Sequence, residues 1–120
     1  MAITYQISEP NFDKMVTQTA ASATADDNVF GTTGTVYKIV ANNSAAGNDA
    51  YLKIYDNTGP TVGTTAPTFQ LFCKRNQVTT CFIRKGLTIS NALSIAGEQT
   101  AGTAGTTGAA SSLRITLFGV

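Results

Sequence analysis

TVYKIVANNSAAGNDAYLKIYD, residues 35–56, is the stretch that decides the fold. Two runs rich in Val, Ile and Tyr, residues 35–41 and 50–56, flank a loop of Asn, Ser, Ala, Gly and Asp that tolerates turn conformations. Such a pattern predicts two antiparallel strands joined as a hairpin. Pairing Tyr37 with Ile54 and Ile39 with Leu52 gathers four large apolar side chains on one face, the expected core. The same register sets Val36 by Tyr55, Lys38 by Lys53 and Val40 by Tyr51 on the other face. Tyr51 and Tyr55 are therefore candidates for contact with a partner.

Toward the C-terminus, the Gly- and Pro-bearing residues 57–67 read as a long connection. Residues 68–74 (TFQLFCK) and 78–84 (VTTCFIR) then predict a second hairpin about Arg75-Asn76-Gln77. Its register places Cys73 opposite Cys81, Leu71 opposite Ile83, Gln70 opposite Arg84 and Phe72 opposite Phe82. Phe72 and Phe82 would lie outside among polar groups, a second candidate contact. After a turn at Lys85-Gly86, residues 87–96 (LTISNALSIA) read as one strand. Residues 97–112 (GEQTAGTAGTTGAASS) are low-complexity and are expected to add nothing to a core. Residues 113–118 (LRITLF) alternate as a half-buried final strand.

Residues 1–33 differ from the rest. A short alternation from Ile3 to Ile7 and the isolated group Phe12-Asp13-Lys14-Met15-Val16 precede a Thr/Ala-rich stretch ending in Asp26-Asp27-Asn28. Two organisations fit: an extended arm that orders against a partner, with Phe12 and Met15 as its contacts, or an edge strand followed by a surface loop. The chain thus divides into an arm, residues 1–33, and a β-sandwich domain, residues 34–120. The fold class is all-β, an antiparallel β-sandwich or jelly-roll-like barrel with an extended N-terminal arm.

Composition bears on function mainly by exclusion. The 120 residues suffice for one core, and a net charge of +1 supplies no field for polyanions or anionic membranes. Histidine and tryptophan are both missing, and neither GxSxG nor SxxK occurs, so the usual nucleophile and base pairings have no material. Asp26, Asp27, Asp49 and Asp56 sit beside turn residues, where capping explains them, and their spacing matches no calcium loop. No catalytic residue, metal or cofactor is assigned, and the expectation is a protein that is not an enzyme. The basic pairs Lys74-Arg75 and Arg84-Lys85 fall at opposite ends of the expected second hairpin, so nucleic acid is not an expected partner. No apolar run is long enough for a membrane span, and the first ten residues lack a secretory pattern. Cys73 and Cys81 are read as reduced core residues, with a cross-strand disulfide open if the register holds.

The order VYKIVANNSAAGNDAYLKIYDNTGPTVGTTAP, then a hairpin, then Lys85-Gly86-Leu87 with an alternating strand and a Gly/Thr/Ala tract, resembles small β-sandwich virion proteins encoded by tailed phages. The most distinctive piece is YLKIYDNTGPTVGTTAP, residues 51–67. The chain departs from that pattern at CKRNQVTTC, which stands where a proline- and glycine-bearing turn is expected. The resemblance implies a structural role: a capsid decoration or cement protein, synthesised in the host cytoplasm and bound on the virion to the major capsid protein. It also implies self-association, as a homotrimer at capsid three-fold positions. The alternative is a small tail, fibre, receptor-binding or carbohydrate-binding β module.

Overall fold

The computed structural model describes residues 12–109 and 113–120. Among these residues there are seven strands and no helix: β1 (Lys14–Gln18), β2 (Gly34–Asn42), β3 (Ala50–Asp56), β4 (Phe69–Cys73), β5 (Val78–Ile89), β6 (Leu93–Glu98) and β7 (Arg114–Gly119). They form a four-stranded sheet in the order β1-β7-β2-β5 and a three-stranded sheet in the order β4-β3-β6. Every strand pairing is antiparallel, and the two sheets enclose one core, so the chain is a β-sandwich.

The core follows from alternation. Ile39, Ala41, Ile89, Ile115 and Leu117 of the larger sheet are closed off from solvent by Leu52, Ile54, Leu93 and Ile95 of the smaller one. Each such Leu or Ile contributes about 1.5–3 kcal/mol by leaving water.

Neighbour relations differ from the two hairpins expected. β2 pairs with β5 and β7, while β3 pairs with β4 and β6, so Tyr37 does not face Ile54 and Lys38 does not face Lys53. Likewise Cys73 lies beside Ala50 and Cys81 beside Ile39, and both thiols are free. Both expected turns are instead crossings between the sheets, and Asn43 ties them together. Its side-chain amide donates to Asn48 O (2.9 Å) and Cys73 O (3.0 Å), its backbone N–H donates to Gln77 O (2.9 Å), and its carbonyl accepts from Asn76 N (3.0 Å). A buried asparagine satisfying two crossings at once favours them over two separate hairpins.

Two further expectations change. The Lys85-Gly86 turn is an irregularity within β5: four residues, 83–86, bulge out opposite Tyr37 of β2. Gly86 has φ +79°, and a Cβ there would lie 2.3 Å from the Thr35 methyl, so glycine is required twice over. The single strand over residues 87–96 is broken at Ser90 to Ala92. There the Asp56 carboxylate accepts the backbone N–H of Ser90 (3.0 Å), Asn91 (2.7 Å) and Ala92 (3.2 Å), turning the chain from one sheet to the other.

From Phe12 onward, the N-terminal segment packs on its own domain, as the edge-strand alternative anticipates. β1 pairs with β7, and the following loop runs along the open edge of β6, exchanging backbone hydrogen bonds between Asp26 and Ile95 (2.8 and 3.0 Å). Residues 12–29 thus make extensive contacts within the chain, while Met15 stays exposed. Residues 1–11 lie outside the described residues.

Candidate protein-binding face

Side chains at Cα-paired positions on one side of a sheet stand in a row. On the outer side of the larger sheet one such row crosses all four strands: Met15 pairs with Phe118, Phe118 with Lys38, and Lys38 with Phe82. At about 4.8 Å per strand the row is about 14 Å long. Met15 and Phe82 are each 67% exposed, a high value for large apolar side chains. The Lys38 ammonium lies between two rings, 5.3 Å from the centre of Phe82 and 5.2 Å from that of Phe118. Each exposed cation–ring contact contributes about 0.5–1 kcal/mol, enough to hold the lysine stem flat against the aromatics.

A bulge in β2 between Val36 and Lys38 extends the row. Val36 and Ile39 both point inward with two residues between them, so Tyr37 is the extra one and emerges, like Lys38, on the outside. Tyr37 is half-buried there, a correction to its expected core position, with its ring centre 6.4 Å from that of Phe12. Phe12 in turn lies 5.7 Å from Phe118. The next positions outward along the strands are Thr17, Thr116, Val40 and Thr80, then Arg114, Asn42 and Val78. No Asp or Glu lies within these four strands; Lys38 and Arg114 stand at outward positions, and the bulge of β5 adds the exposed Arg84 and Lys85. The face is apolar with a positive rim.

Of the six sequence-derived contact residues, three converge here: Phe12, Met15 and Phe82. Phe72 does not pair with Phe82. It lies on the outer side of the smaller sheet, 46% exposed, paired with Tyr51 at 5.3 Å between ring centres. Tyr55 is only 1% exposed and presents no contact surface. Burial chiefly, and the Glu98 carboxylate secondarily, push its phenol above the ordinary tyrosine range. Lys38 and Phe118 were not singled out from sequence, because their significance arises only when β7 inserts between β1 and β2.

The opposite face is partly covered by the chain itself. Residues 99–109 fold across the smaller sheet, with Gly102 N donating to Gln70 Oε1 (2.8 Å) and Ala109 N to Gly97 O (3.0 Å). The tract expected to contribute nothing is thus a cover: it lies against Glu98 and reaches Gln70, the β4 partner of Lys53, and both Lys53 and Glu98 are completely buried. Its small residues let the backbone itself approach: a Cβ on Gly105 would lie 2.9 Å from Thr100 Cβ and 3.2 Å from Glu98 Oε1.

Among the described residues no group of three His, Cys, Asp or Glu side chains is placed to hold a metal, and no helix is long and apolar enough to cross a membrane. Compared with protein-family models, with curated proteins and with solved structures, the chain matches nothing.

Proposed function

We propose that this chain is a structural protein of a phage virion, a capsid decoration or cement protein held on the lattice of the major capsid protein by the outer face of its four-stranded sheet. The observation that carries the proposal is the open row Met15, Phe118, Lys38 and Phe82, whereas on the opposite sheet Lys53, Tyr55 and Glu98 are buried and the Tyr51–Phe72 pair reaches the surface. Exposed aromatics and methionine clustered with a cation, ringed by threonines, have the composition of an interface core with a polar rim. The sequence resemblance to small virion β-sandwiches points the same way. Self-association as a homotrimer would multiply weak single contacts by avidity on a repeating lattice. Since the face carries cations and no strand carboxylate, its site on the shell is expected to present Asp or Glu beside an apolar patch.

The test is to purify particles, identify the chain on them by mass spectrometry, and locate it by antibody labelling or density. Stoichiometric copies at regular positions on the shell are expected. Absence from particles overturns the proposal, and labelling confined to the tail transfers the chain to the fibre or receptor-binding class.

A further inference from the structure

Lys53 and Glu98 stand on neighbouring strands of the smaller sheet, diagonal to each other: Lys53 is paired with Ala96 and Tyr51 with Glu98. Both side chains are 0% exposed and in direct contact. Apart from each other, neither the Lys53 ammonium nor either Glu98 oxygen has a hydrogen-bond partner among the described residues, and the Tyr55 hydroxyl, on the same face, has none either. This is an unusual economy. An ammonium offers three donors and a carboxylate about four acceptor sites, and buried ion pairs ordinarily persist because surrounding groups satisfy the remainder. Sealing such a pair under residues 99–109 with nothing else to bond to favours any change that removes both charges.

We propose that Lys53 and Glu98 are joined in the folded protein by an intramolecular amide bond from Lys53 Nζ to Glu98 Cδ. In the dry enclosure a proton passes from the Lys53 ammonium to the Glu98 carboxylate, leaving a neutral amine and a carboxylic acid. The amine lone pair attacks Cδ and the new N–C bond forms. The nitrogen then gives up a proton to the departing hydroxyl, the C–O bond breaks, and one water leaves with its electron pair. Ammonium plus carboxylate becomes amide plus water: charge is zero on both sides and no oxidant, reductant or activating group is consumed.

Three features of the site serve this chemistry. β3 and β6 hold nitrogen and carbon together, replacing an encounter in water by a fixed geometry. The tract excludes the water that would reverse the reaction. Tyr55, two residues from Lys53 on the same face of β3, adds a buried, otherwise unpartnered hydroxyl that feels the Glu98 charge and is free to donate as charge develops. The product amide has one N–H and one carbonyl to satisfy, far fewer demands than the ion pair. The proposal does not depend on the virion role.

The test is the intact mass of the full purified chain under denaturing conditions, with tryptic mapping. A mass one water below the sequence value is expected, after allowing for the initiator methionine. Trypsin should fail to cut after Lys53, and residues 39–74 should appear joined to residues 86–114 in one cross-linked species. Lys53→Arg, which cannot condense, should restore the full mass. The full mass in the unmodified chain, with a free peptide ending at Lys53, overturns the proposal, and so does a water loss mapped to any unlinked peptide.

Discussion

β2 and β3 are close to twins in sequence, VYKIV against YLKIY, yet their lysines meet opposite fates. Lys38 lies on an open face between the rings of Phe82 and Phe118, whereas Lys53 is fully buried against Glu98. Nothing inside either strand makes the difference. Local pattern decides which side of a strand faces the core, but what covers the outer side is decided elsewhere, here by a Gly/Ala/Thr tract more than forty residues downstream of Lys53.

Substituting the two lysines in parallel tests that contrast most severely. Lys53→Met leaves the Glu98 charge buried without a partner, and a loss of about 3–5 kcal/mol in unfolding free energy is expected. Lys38→Met on the open face should change stability by no more than about 1 kcal/mol. Chemical denaturation of both variants checks the pair, and similar losses would break the comparison.

The cover itself is next in size. Gly105→Val drives a side chain into Thr100 and Glu98, and a loss of about 1–3 kcal/mol is expected, seen as a lower Tm. The same substitution at Gly47, where a Cβ meets nothing, should be close to neutral.

Asp56 links the two sheets and gives a pH signature. Its carboxyl is held below the usual 3.8 chiefly by the Ser90 N–H, with Asn91 and Ala92 adding to the effect against an opposing contribution from burial. Because the folded pKa is the lower one, the stabilisation is complete above the unfolded value and is lost as pH falls from about 3.8 through the folded value. Asp56→Ala should cost about 1–2 kcal/mol at neutral pH and flatten that acid limb in pH-dependent melting.

A smaller effect separates the thiols. Burial pushes Cys73 up to about 11, while Cys81 is only partly buried. At neutral pH iodoacetamide is expected to label Cys81 in the folded protein and leave Cys73 unmodified until the chain unfolds.

How far the sequence reached follows from the same contrast. Ile39, Leu52, Ile54, Leu93, Ile95, Ile115 and Leu117 reveal their inward direction through alternation, and all are buried. Alternation has the same period whether a strand folds back beside its predecessor or crosses to the other sheet, so both hairpins were indistinguishable from crossings. The deciding residue, Asn43, looks in sequence like any loop asparagine. Phe12, Met15 and Phe82 were legible as contact candidates, the first two as isolated apolar residues of the N-terminal segment and Phe82 as an outward position among polar groups, but their convergence needed β7 between β1 and β2. Glu98 was illegible for another reason: its burial is achieved by backbone and methyl groups of a tract with no large side chain to announce it.

The most direct measurement of the central claim, that the open face is the working surface of the proposed capsid protein, is binding by a chain carrying both Met15→Ser and Phe82→Ser to phage capsids assembled without this chain. Stability within about 1 kcal/mol of the unmodified chain is expected, since both residues are exposed, together with at least a tenfold loss of affinity, about 1.4 kcal/mol. Unchanged occupancy of the shell by a normally folded double variant would contradict the account.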